Sequence, residues 1–510
     1  MKSLYVIVGI DLGTTFTLNS IMLADGSLVI INNLDGELLT PSVVNIHDED
    51  NPIVGRAAVH QRVFAPNSTA DLFKRSMGVL DEQGNHLPVI VHPVSGKVYT
   101  AVELSSILLR YQVKSVEAAT GSKVGGVVIT VPAYFDPDAR KATRRAGEMA
   151  GVKVLDVINE PTAAALAFGI DKAEDGIYAI YDFGGGTFDI TIIRIQGKNF
   201  EVLATNGDRN LGGSDINNLI AAKVIEAFKA EHGIEISPMA DMIVWHELLE
   251  KVENAKKTLS QSETASFMIS VDGKRLVFDL TRSDFNALIA PLIDKTETST
   301  QRALSTAKLE PKDVKEVILV GGSSRIPAAR SMLQNLFGKP ARTDINPDEA
   351  VARGAAIFAA KMGGENGIAM VDTKGDRVLP PPIQVRDVTS HSLGCLAQHD
   401  GSMRNSVIIP ANTPLPAELE NTFALVDANQ TVAEVVITSG EDGADPADCK
   451  IYGSVTLRGL PPRSPELNSI KVKYAFNADG TLHVTITDSI SGKTTSEIKK
   501  GFDNVIAKAA

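Results

Sequence analysis

Cysteine and tryptophan are scarce in this chain, and it has no excess of positive charge. Its 510 residues include two cysteines, Cys395 and Cys449, and one tryptophan. Because the cysteines lie far apart without a paired C-x-x-C spacing, a disulfide framework or a zinc site is not indicated, and a reducing compartment is favoured. The net charge of −12 argues against general nucleic-acid binding, which needs basic surface to replace phosphate counterions.

Long apolar runs are missing as well. No run reaches the roughly 18 residues that a helix needs to span a bilayer. The apolar stretch in MKSLYVIVGIDLG is too short for a signal peptide and leads into an acidic glycine turn instead of a cleavage site. We therefore expect a soluble cytoplasmic protein that binds neither membranes nor nucleic acid.

The length and the order of sequence patterns predict two domains. Apolar strands alternate with helical stretches over the first three-quarters of the chain, which indicates an α/β architecture. Three prolines at 380–382 interrupt this pattern and are typical of a linker. Short alternating strands follow, such as KIYGSVTLRGL and TLHVTITDS, and they predict an antiparallel β-sandwich of about a hundred residues.

Two glycine turns with the same layout form the main functional signal. GIDLGTTFTLNSIML (9–23) and YAIYDFGGGTFDITII (178–193) each combine a strand, an aspartate, a Gly/Thr turn and a returning strand. Backbone N–H groups in such a turn can cradle phosphate oxygens, and glycine removes the Cβ that would hold an anion away. Asp11 and Asp182 would then anchor Mg²⁺ through its water shell. One such turn would be read as an ordinary tight hairpin, but a matched pair predicts a clamp on nucleotide phosphates.

A third glycine turn lies in VKEVILVGGSSRIPAARSML (314–333). An apolar strand ends at Gly321 and Gly322, and Ser323 and Arg325 open a helix. This layout lets the backbone approach a nucleoside while Arg325 packs on its ring. The alternative is a plain junction between a strand and a helix.

Nine motifs in order identify a resemblance to a known family. They are GIDLGTTFT, LFKRSMG, VVITVPAYFDPDARKATRRAGEMAG, VINEPTAAALAFG, YDFGGGTFDITI, LGGSDIN, VENAKKTLS, VILVGGSSRIP and NPDEAVARGAA, and they cover residues 5–361. In these motifs the chain resembles the seventy-kilodalton heat-shock chaperones of the DnaK type, within the actin/sugar-kinase ATPase superfamily. DVTSHSLG, IIPANTPLP, FNADGTLHVT and SGKTT continue the resemblance more weakly.

The resemblance implies a domain plan and a function. The plan is a two-lobed actin-like ATPase domain (1–377), a linker (378–388), a β-sandwich peptide-binding domain (389–500) and a short tail (501–510). The family's helical lid is expected to be missing, which is a departure from the family pattern. The implied function is a chaperone in which ATP binding and hydrolysis control peptide binding. The implied cofactors are ATP/ADP, Mg²⁺ and K⁺.

The resemblance also assigns roles to individual residues of the ATPase domain. Lys74 orients the attacking water, and Glu160, Asp182 and Thr187 complete the catalytic group. Asp11, Asp182 and Asp189 arrange the metal ions, mostly through water. The implied ATP-binding residues are Asp11, Gly13, Thr14, Thr15, Gly184, Gly185, Gly186, Thr187, Gly213, Glu253, Lys256, Lys257, Ser260, Gly321, Gly322, Ser323, Arg325 and Asp348.

Further roles are implied for the β-domain and for the path that connects it to the ATPase domain. The peptide pocket would be lined by Cys395, Phe423, Ala433 and Val435, although inward-facing residues of a sandwich are also expected in its core. Coupling between the domains would involve Pro132, Arg140, Ile383, Val385 and Asp387.

The implied partners are peptides and co-chaperones. Extended or unfolded peptide segments are the expected clients, and a J-domain co-chaperone and a nucleotide exchange factor are the expected regulators. Asp156 stands where the family usually has an arginine that contacts the J-domain, and this charge reversal opposes that docking.

Two other functions of the same superfamily are alternatives to the chaperone. A small-molecule kinase would need a catalytic carboxylate beside a sugar pocket and would leave 389–500 without a role. An actin-like scaffold would polymerise with ATP. The combination of LFKRSMG, VPAYF and the β-domain favours the chaperone.

Overall fold

A computed structural model describes residues 4–81, 84–172, 174–237, 241–343, 346–464, 468–477 and 480–500. The strands up to residue 159 are β1 (Val6–Leu12), β2 (Phe16–Met22), β3 (Leu28–Ile31), β4 (Thr40–Pro41), β5 (Val44–Asn45), β6 (Ile53–Val54), β7 (Thr69–Ala70), β8 (Pro88–Val91), β9 (Val98–Thr100), β10 (Val124–Val131) and β11 (Val154–Asn159). The helices of this part are α1 (Arg56–Gln61), α2 (Ala101–Thr120), α3 (Pro137–Met149) and α4 (Glu160–Lys172).

A six-stranded sheet forms the first lobe. Its strands lie in the order β11-β10-β1-β2-β3, and β4 pairs with β2. The strands β1, β10 and β11 are parallel, whereas β2 and β3 return in antiparallel pairing. Strands such as VIVGIDL are almost continuously apolar and buried, as expected where helices cover both faces of a parallel sheet.

The second lobe repeats this arrangement. Its strands are β12 (Gly176–Phe183), β13 (Phe188–Gln196), β14 (Asn199–Asp208), β15 (Thr264–Val271), β16 (Lys274–Thr281) and β17 (Glu316–Val320), and its helices are α5 (Gly213–His232), α6 (Met242–Leu259), α7 (Arg282–Thr306) and α8 (Pro327–Phe337). In β17-β12-β13-β14 an antiparallel meander follows a parallel pair, as in β10-β1-β2-β3. The two glycine turns therefore occupy equivalent places, β1–β2 in one lobe and β12–β13 in the other.

Two helices of small residues pack together between the lobes. Helix α9 (Ala350–Glu365) crosses α4 so closely that a Cβ on Gly354 would overlap the backbone of Ala163. The same helix lies on β1, where a Cβ on Gly9 would overlap the backbone at Ala356. The alanines and glycines of AAALAFG and ARGAAIFAAKMGG thus allow a close approach that larger side chains would prevent.

The linker forms a further strand, β18 (Gln384–Arg386), on the sheet of the second lobe. It pairs in parallel with β14, and Val385 lies opposite Phe200. Ile383 is buried and Val385 is half-buried in the core between the lobes, whereas Gln384 and Arg386 are exposed. The chain between the α/β unit and the β-sandwich is therefore docked along the edge of the second-lobe sheet.

The remaining strands form two four-stranded antiparallel sheets. They are β19 (Leu393–His399), β20 (Ser402–Ile409), β21 (Ala417–Ala424), β22 (Val432–Ser439), β23 (Lys450–Arg458), β24 (Ser469–Phe476), β25 (Thr481–Asp488) and β26 (Thr494–Lys500). The sheet orders are β20-β19-β22-β23 and β21-β24-β25-β26, with one apolar core between them. The predicted succession of an α/β unit and an antiparallel β-sandwich is confirmed. The predicted short tail, 501–510, lies outside the described residues.

No helix in the described ranges combines enough length with enough apolar character to cross a bilayer.

Candidate functional site

The two glycine turns face each other across the cleft between the lobes. A Cβ on Gly185 would overlap Thr15 Oγ1, and a Cβ on Gly186 would overlap the side chain of Thr14. Only residues without a Cβ allow the turns to come this close. The close contact brings the backbone amides and the threonine hydroxyls of both lobes to one place.

A cavity of ≈ 650 Å³ opens beside these turns. Most of the predicted nucleotide residues line it, namely Asp11, Gly13, Thr14, Thr15, Lys74, Glu160, Asp182, Gly184, Gly185, Thr187, Lys256, Lys257, Ser260, Gly321, Gly322, Ser323, Arg325 and Asp348. Four predicted residues lie outside its lining, namely Gly186, Asp189, Gly213 and Glu253. The cavity is also lined by residues that were not predicted from the sequence, namely Phe16, Leu18, Leu39, Gln261, Val320, Ile326, Arg330, Pro347 and Val351.

Buried carboxylates surround Lys74 at the inner end of the cavity. The Lys74 ammonium pairs with Glu160, and both side chains are more than 90% buried. Asp11 accepts a hydrogen bond from Thr130 Oγ1 at 3.0 Å, and Asp189 accepts one from the backbone N–H of Tyr134 at 3.0 Å. The first contact lies within the first lobe, whereas the second joins Asp189 of the second lobe to the turn after β10 of the first lobe.

Burial raises the pKa values of the three aspartates. The pKa of Asp11 is raised to about 7 and that of Asp189 to about 8, first by burial and then by the charge of Glu160. The pKa of Asp182 is raised well above its ordinary value by the same two causes. A cation beside these groups would restore their ionised form, so the donor set fits a magnesium ion.

Among the residues that the structure describes, no group of three or more histidine, cysteine, aspartate or glutamate side chains is arranged to hold an ion directly. The predicted contact of the aspartates with metal through water does not require such a group, and it stays a prediction.

The outer end of the cavity is built from α6 and the third glycine turn. Lys256 Nζ lies 2.6 Å from Glu253 and donates to the Gly213 carbonyl at 3.1 Å. Burial alone would raise the pKa of Glu253, but the neighbouring lysines and Asn217 lower it to about 2. Glu253 therefore stays ionised and holds the Lys256 ammonium near the cleft.

The third turn is fastened to the second. Ser323 Oγ donates to the Gly184 carbonyl at 2.8 Å, and a Cβ on Gly321 would come within 2.5 Å of the Phe183 carbonyl oxygen. The Arg325 guanidinium lies 2.7 Å from Asp348 at the rim of the cavity. The hydroxyl and the two charged side chains thus surround the place expected for a nucleoside.

A turn that follows β10 carries contacts from the carboxylate cluster to the β-sandwich. The Tyr134 N–H bonds Asp189, and the Tyr134 ring packs against His391 with ring centroids 4.5 Å apart. Ser390 Oγ donates to the Phe135 carbonyl at 3.1 Å. The first residues of the second domain therefore contact the segment that contacts the carboxylates.

Charged groups complete the domain interface. Lys450 of β23 pairs with Asp136 at 2.9 Å and also with Asp138. Asp136 is in addition the N-cap of α3, where its side chain accepts from the Ala139 N–H. Nothing local to Lys450 or His391 marks them as interface residues, so the sequence analysis did not find them.

Two of the predicted coupling residues, Arg140 and Asp387, are connected through the side chain of Asn159. Arg140 donates to the Asn159 side chain and to the Val157 carbonyl, and Asn159 Nδ2 donates to Asp387 at 2.6 Å. Pro132 accepts from the Phe135 N–H at the start of the turn that follows β10. Asp387 at the end of the linker is thus connected to Arg140 through one amide side chain.

The four predicted peptide-pocket residues lie in or against the sandwich core. Cys395, Ala433 and Val435 are at most 3% exposed, and Phe423 is half-buried against the same core. Their positions agree with inward-facing core residues, and the peptide-binding role stays a prediction.

Comparisons with known proteins place this chain among chaperones. The model of the family described as Hsp70 protein matches residues 7–504. A protein named chaperone protein DnaK from one strain of Thermus thermophilus is 39% identical, and the match covers 96% of this chain and 79% of that protein. Its counterpart from a second strain of the same organism is 38% identical over the same shares.

The contact between the turns leads to a prediction about glycine substitutions. Gly185→Ala should lower the melting temperature and weaken nucleotide binding, because the new methyl group pushes Thr15 and the opposite turn away. Overpacking of this kind costs roughly 1–3 kcal/mol. Thermal unfolding of the nucleotide-free protein measures the effect.

Gly184→Ala is the matched control for this prediction. Its Cβ would lie 3.4 Å from the Thr187 carbonyl oxygen, which is an ordinary contact distance. Equal melting temperatures for the two variants in the absence of nucleotide would contradict the role assigned to the close contact.

Proposed function

Because this chain belongs to the Hsp70 family of ATP-hydrolysing chaperones, we propose that ATP held between its two glycine turns controls peptide binding by its β-sandwich. The chain is an ATP-dependent chaperone and an ATPase, and the kinase and scaffold alternatives are not favoured. The observation that carries the proposal is the docked linker, since β18 belongs to the same sheet as the second glycine turn.

The phosphate-binding role rests on the two turns. The backbone N–H groups of the 184–187 turn and the hydroxyls of Thr14 and Thr15 are the donors proposed to hold phosphate oxygens. Family members bind ATP or ADP with Mg²⁺, which neutralises phosphate charge when bound. Asp11, Asp182 and Asp189 would hold Mg²⁺ through water, and we place a K⁺ ion beside the same carboxylates.

The proposed catalytic group is centred on Lys74. Glu160 pairs with its ammonium, which also lies 5.9 Å from the centroid of the Phe135 ring. Held in this way, Lys74 can orient a water molecule toward the terminal phosphate, with Thr187 and Asp182 on the opposite wall. Phosphoryl transfer depends mainly on positioning and charge neutralisation, which such a group supplies.

The remaining cleft residues are proposed to recognise the nucleoside. The C-terminal half of α6 carries Glu253, Lys256 and Lys257, and Ser260 follows the helix. Lys256, Lys257 and Ser260 line the cavity together with residues of the third turn. The ionised Glu253 fixes Lys256 at the cavity wall. We propose contacts with ribose and base from these groups and from the rim pair Arg325 and Asp348.

Coupling is proposed to run through the linker and the turn at 132–136. The linker adds β18 to the second lobe, while Ser390, His391 and Lys450 contact the turn and the start of α3. We keep the domain bounds 1–377, 378–388 and 389–500 as part of this proposal. Pro132, Arg140, Ile383, Val385 and Asp387 are its coupling residues.

The proposed partners are peptides, which would bind the β-sandwich, and a J-domain protein, which would dock near Asp156. Extended peptides are the proposed ligands of the β-sandwich, through Cys395, Phe423, Ala433 and Val435. Asp156 lies 3.1 Å from Arg144, so its negative charge is partly neutralised within the protein, and it still opposes an acidic partner surface. A J-domain protein that docks here would therefore need a basic contact at this place. A cytoplasmic location and a nucleotide exchange factor complete the proposal.

Removal of the Lys74 ammonium should stop hydrolysis without preventing ATP binding. Lys74→Ala removes a contact that acts on the transition state, so we expect a loss of at least about 100-fold, or roughly 3 kcal/mol. Single-turnover hydrolysis and ATP affinity measured on the same protein separate the two effects. Lys123→Ala, which removes an exposed lysine of the same lobe, is the control. Parental hydrolysis by Lys74→Ala would refute the assignment.

A charge on the buried side of the linker should uncouple the domains. Ile383 and Val385 contribute about 3–5 kcal/mol at full burial, before the cost of ordering the segment, so docking has little surplus. We therefore expect ATP to weaken peptide binding modestly and Val385→Asp to remove that effect while ATP affinity is kept. Fluorescent-peptide affinity with ATP and with ADP is the measurement.

Gln384→Asp is the matched control for the linker, because it places the same charge on the exposed side of β18. It should leave the effect of ATP on peptide affinity in place. An unchanged effect of ATP in Val385→Asp would show that the linker does not carry the signal.

Docking of the domains should weaken as the pH falls. Burial lowers the pKa of His391 below its ordinary 6.5; Asp136 opposes this shift, whereas Lys450 and Arg209 strengthen it. His391 therefore binds a proton more tightly when the domains are separated than when they are docked. The free energy of docking is unaffected above pH 6.5 and becomes less favourable as the pH falls below it. We expect ATP to change peptide affinity at least about twofold less at pH 5.5 than at pH 7.5.

The pH effect is measured in Lys74→Ala protein, so that ATP persists during the titration. His391→Phe keeps a ring against Tyr134 and should remove the difference between the two pH values. His399→Phe, at an exposed position of the same sandwich, should retain it. A pH difference that survives in His391→Phe would assign it to another group.

A further inference from the structure

The turn that carries Lys74 has an unusual backbone. Lys74 lies on a single 3₁₀ turn, Phe73–Ser76, and Leu72 before it adopts a left-handed conformation with φ of 51°. A bulky residue in this conformation persists only where the surrounding structure holds it there. The position of Lys74 therefore depends on contacts made by the rest of its turn.

The Lys74 side chain itself contacts the first lobe. Its ammonium pairs with Glu160 at the start of α4 and lies near the Phe135 ring. The 184–187 turn, by contrast, belongs to the second lobe. The distance between Lys74 and that turn must be set by groups that cross the cleft.

Arg75 crosses the cleft directly. Its Nε donates to the Gly186 carbonyl at 2.9 Å, and its Nη1 and Nη2 donate to the two Asp215 oxygens at 3.1 and 2.5 Å. Two parallel bonds from a guanidinium to a carboxylate form a strong and directional pair. One side chain thus contacts both the glycine turn and the first turn of α5.

The acceptors of Arg75 belong to one rigid unit. Asp215 also accepts from the Gly212 N–H at 2.8 Å, and the Ser214 N–H donates to the Gly185 carbonyl at 2.8 Å. The start of α5 and the 184–187 turn are therefore bonded to each other. A group that binds Asp215 and Gly186 is fixed relative to the whole proposed phosphate site.

A second arginine holds the other side of the Lys74 turn. Arg209, which follows β14 in the second lobe, donates from Nη2 to the Arg75 carbonyl at 3.1 Å and to the Met77 carbonyl at 2.9 Å. Arg209 thus reaches from the second lobe to the backbone of the Lys74 turn, whereas the Arg75 side chain reaches from that turn to the second lobe.

We propose that Arg75 is a positioning residue that fixes Lys74 relative to the 184–187 turn when the two lobes close. The inference rests on the proposed role of Lys74 in hydrolysis. Arg75 acts through Lys74 and does not itself contact the substrate, and it makes hydrolysis depend on closure of the cleft. Nucleotide affinity depends on other groups and should change little.

The test is a cycle of substitutions measured by single-turnover ATP hydrolysis and by ATP affinity. Arg75→Ala should slow hydrolysis about 10- to 100-fold, because a misplaced catalytic group loses this much rate. Its ATP dissociation constant should stay within about threefold of the parent. Because Arg75 acts through Lys74, adding Arg75→Ala to Lys74→Ala should cause no further loss.

Two further variants distinguish a positioning role of Arg75 from a general loss of structure. Arg75→Lys keeps one donor and the charge, so it should recover part of the rate. Arg56→Ala removes an exposed arginine of the first lobe, paired with Glu37 at 3.3 Å, and should leave hydrolysis unchanged. Hydrogen exchange of the amides at 73–77 should rise in Arg75→Ala and stay at the parental level in Arg56→Ala.

Other outcomes overturn the inference. Parental hydrolysis in Arg75→Ala would exclude a positioning role, and so would losses that multiply in the double variant, since Arg75 would then act independently of Lys74. Loss of ATP affinity in proportion to rate would make Arg75 a binding residue. The Lys74→Ala variant alone reports on the proposed function, so its failure is seen separately.

Discussion

The close contact between the two glycine turns is the constraint on which the rest of the molecule depends. The lobes can meet only because Gly185 and Gly186 lack the Cβ that would overlap Thr15 and Thr14. Their meeting places carboxylates from both lobes in one buried volume, and their pKa values rise in response. Closing the cleft therefore favours the binding of positive charge, because a cation stabilises the ionised form of the buried carboxylates.

The β-sandwich is attached to the region of the carboxylates through a ring contact, hydrogen bonds, ion pairs and the strand that the linker adds. The Tyr134 backbone bonds Asp189 while its ring packs on His391, and the linker adds β18, with Ile383 buried just before this strand and Val385 half-buried in it. Ion pairs in this interface, such as Lys450 with Asp136, lose solvation when they form, which offsets part of their attraction. A ligand that prefers one domain arrangement can therefore shift the equilibrium between docked and separated domains.

The order of domains and the three glycine turns could be predicted from local patterns. Alternating strands, glycine turns and the proline-rich break each leave a signal within about 20 residues, and the structure has these elements in the predicted order. Lys74 could not be found in this way, because a lone lysine would be read as a solvated charge, whereas here it is 4% exposed. Lys74 was predicted only from the resemblance to known chaperones, and its contacts were seen only in the structure.

Sequence alone determined the local backbone of this protein: which segments are strands, where turns need glycine, and where an α/β unit gives way to a sandwich. Only the tertiary structure decided which groups meet across the fold. Arg75 reaches Asp215, and His391 reaches Tyr134, over separations of more than a hundred residues. The reason is physical: backbone preferences act over a few neighbouring residues, whereas burial and charge interactions depend on whichever distant segments fold into the same volume.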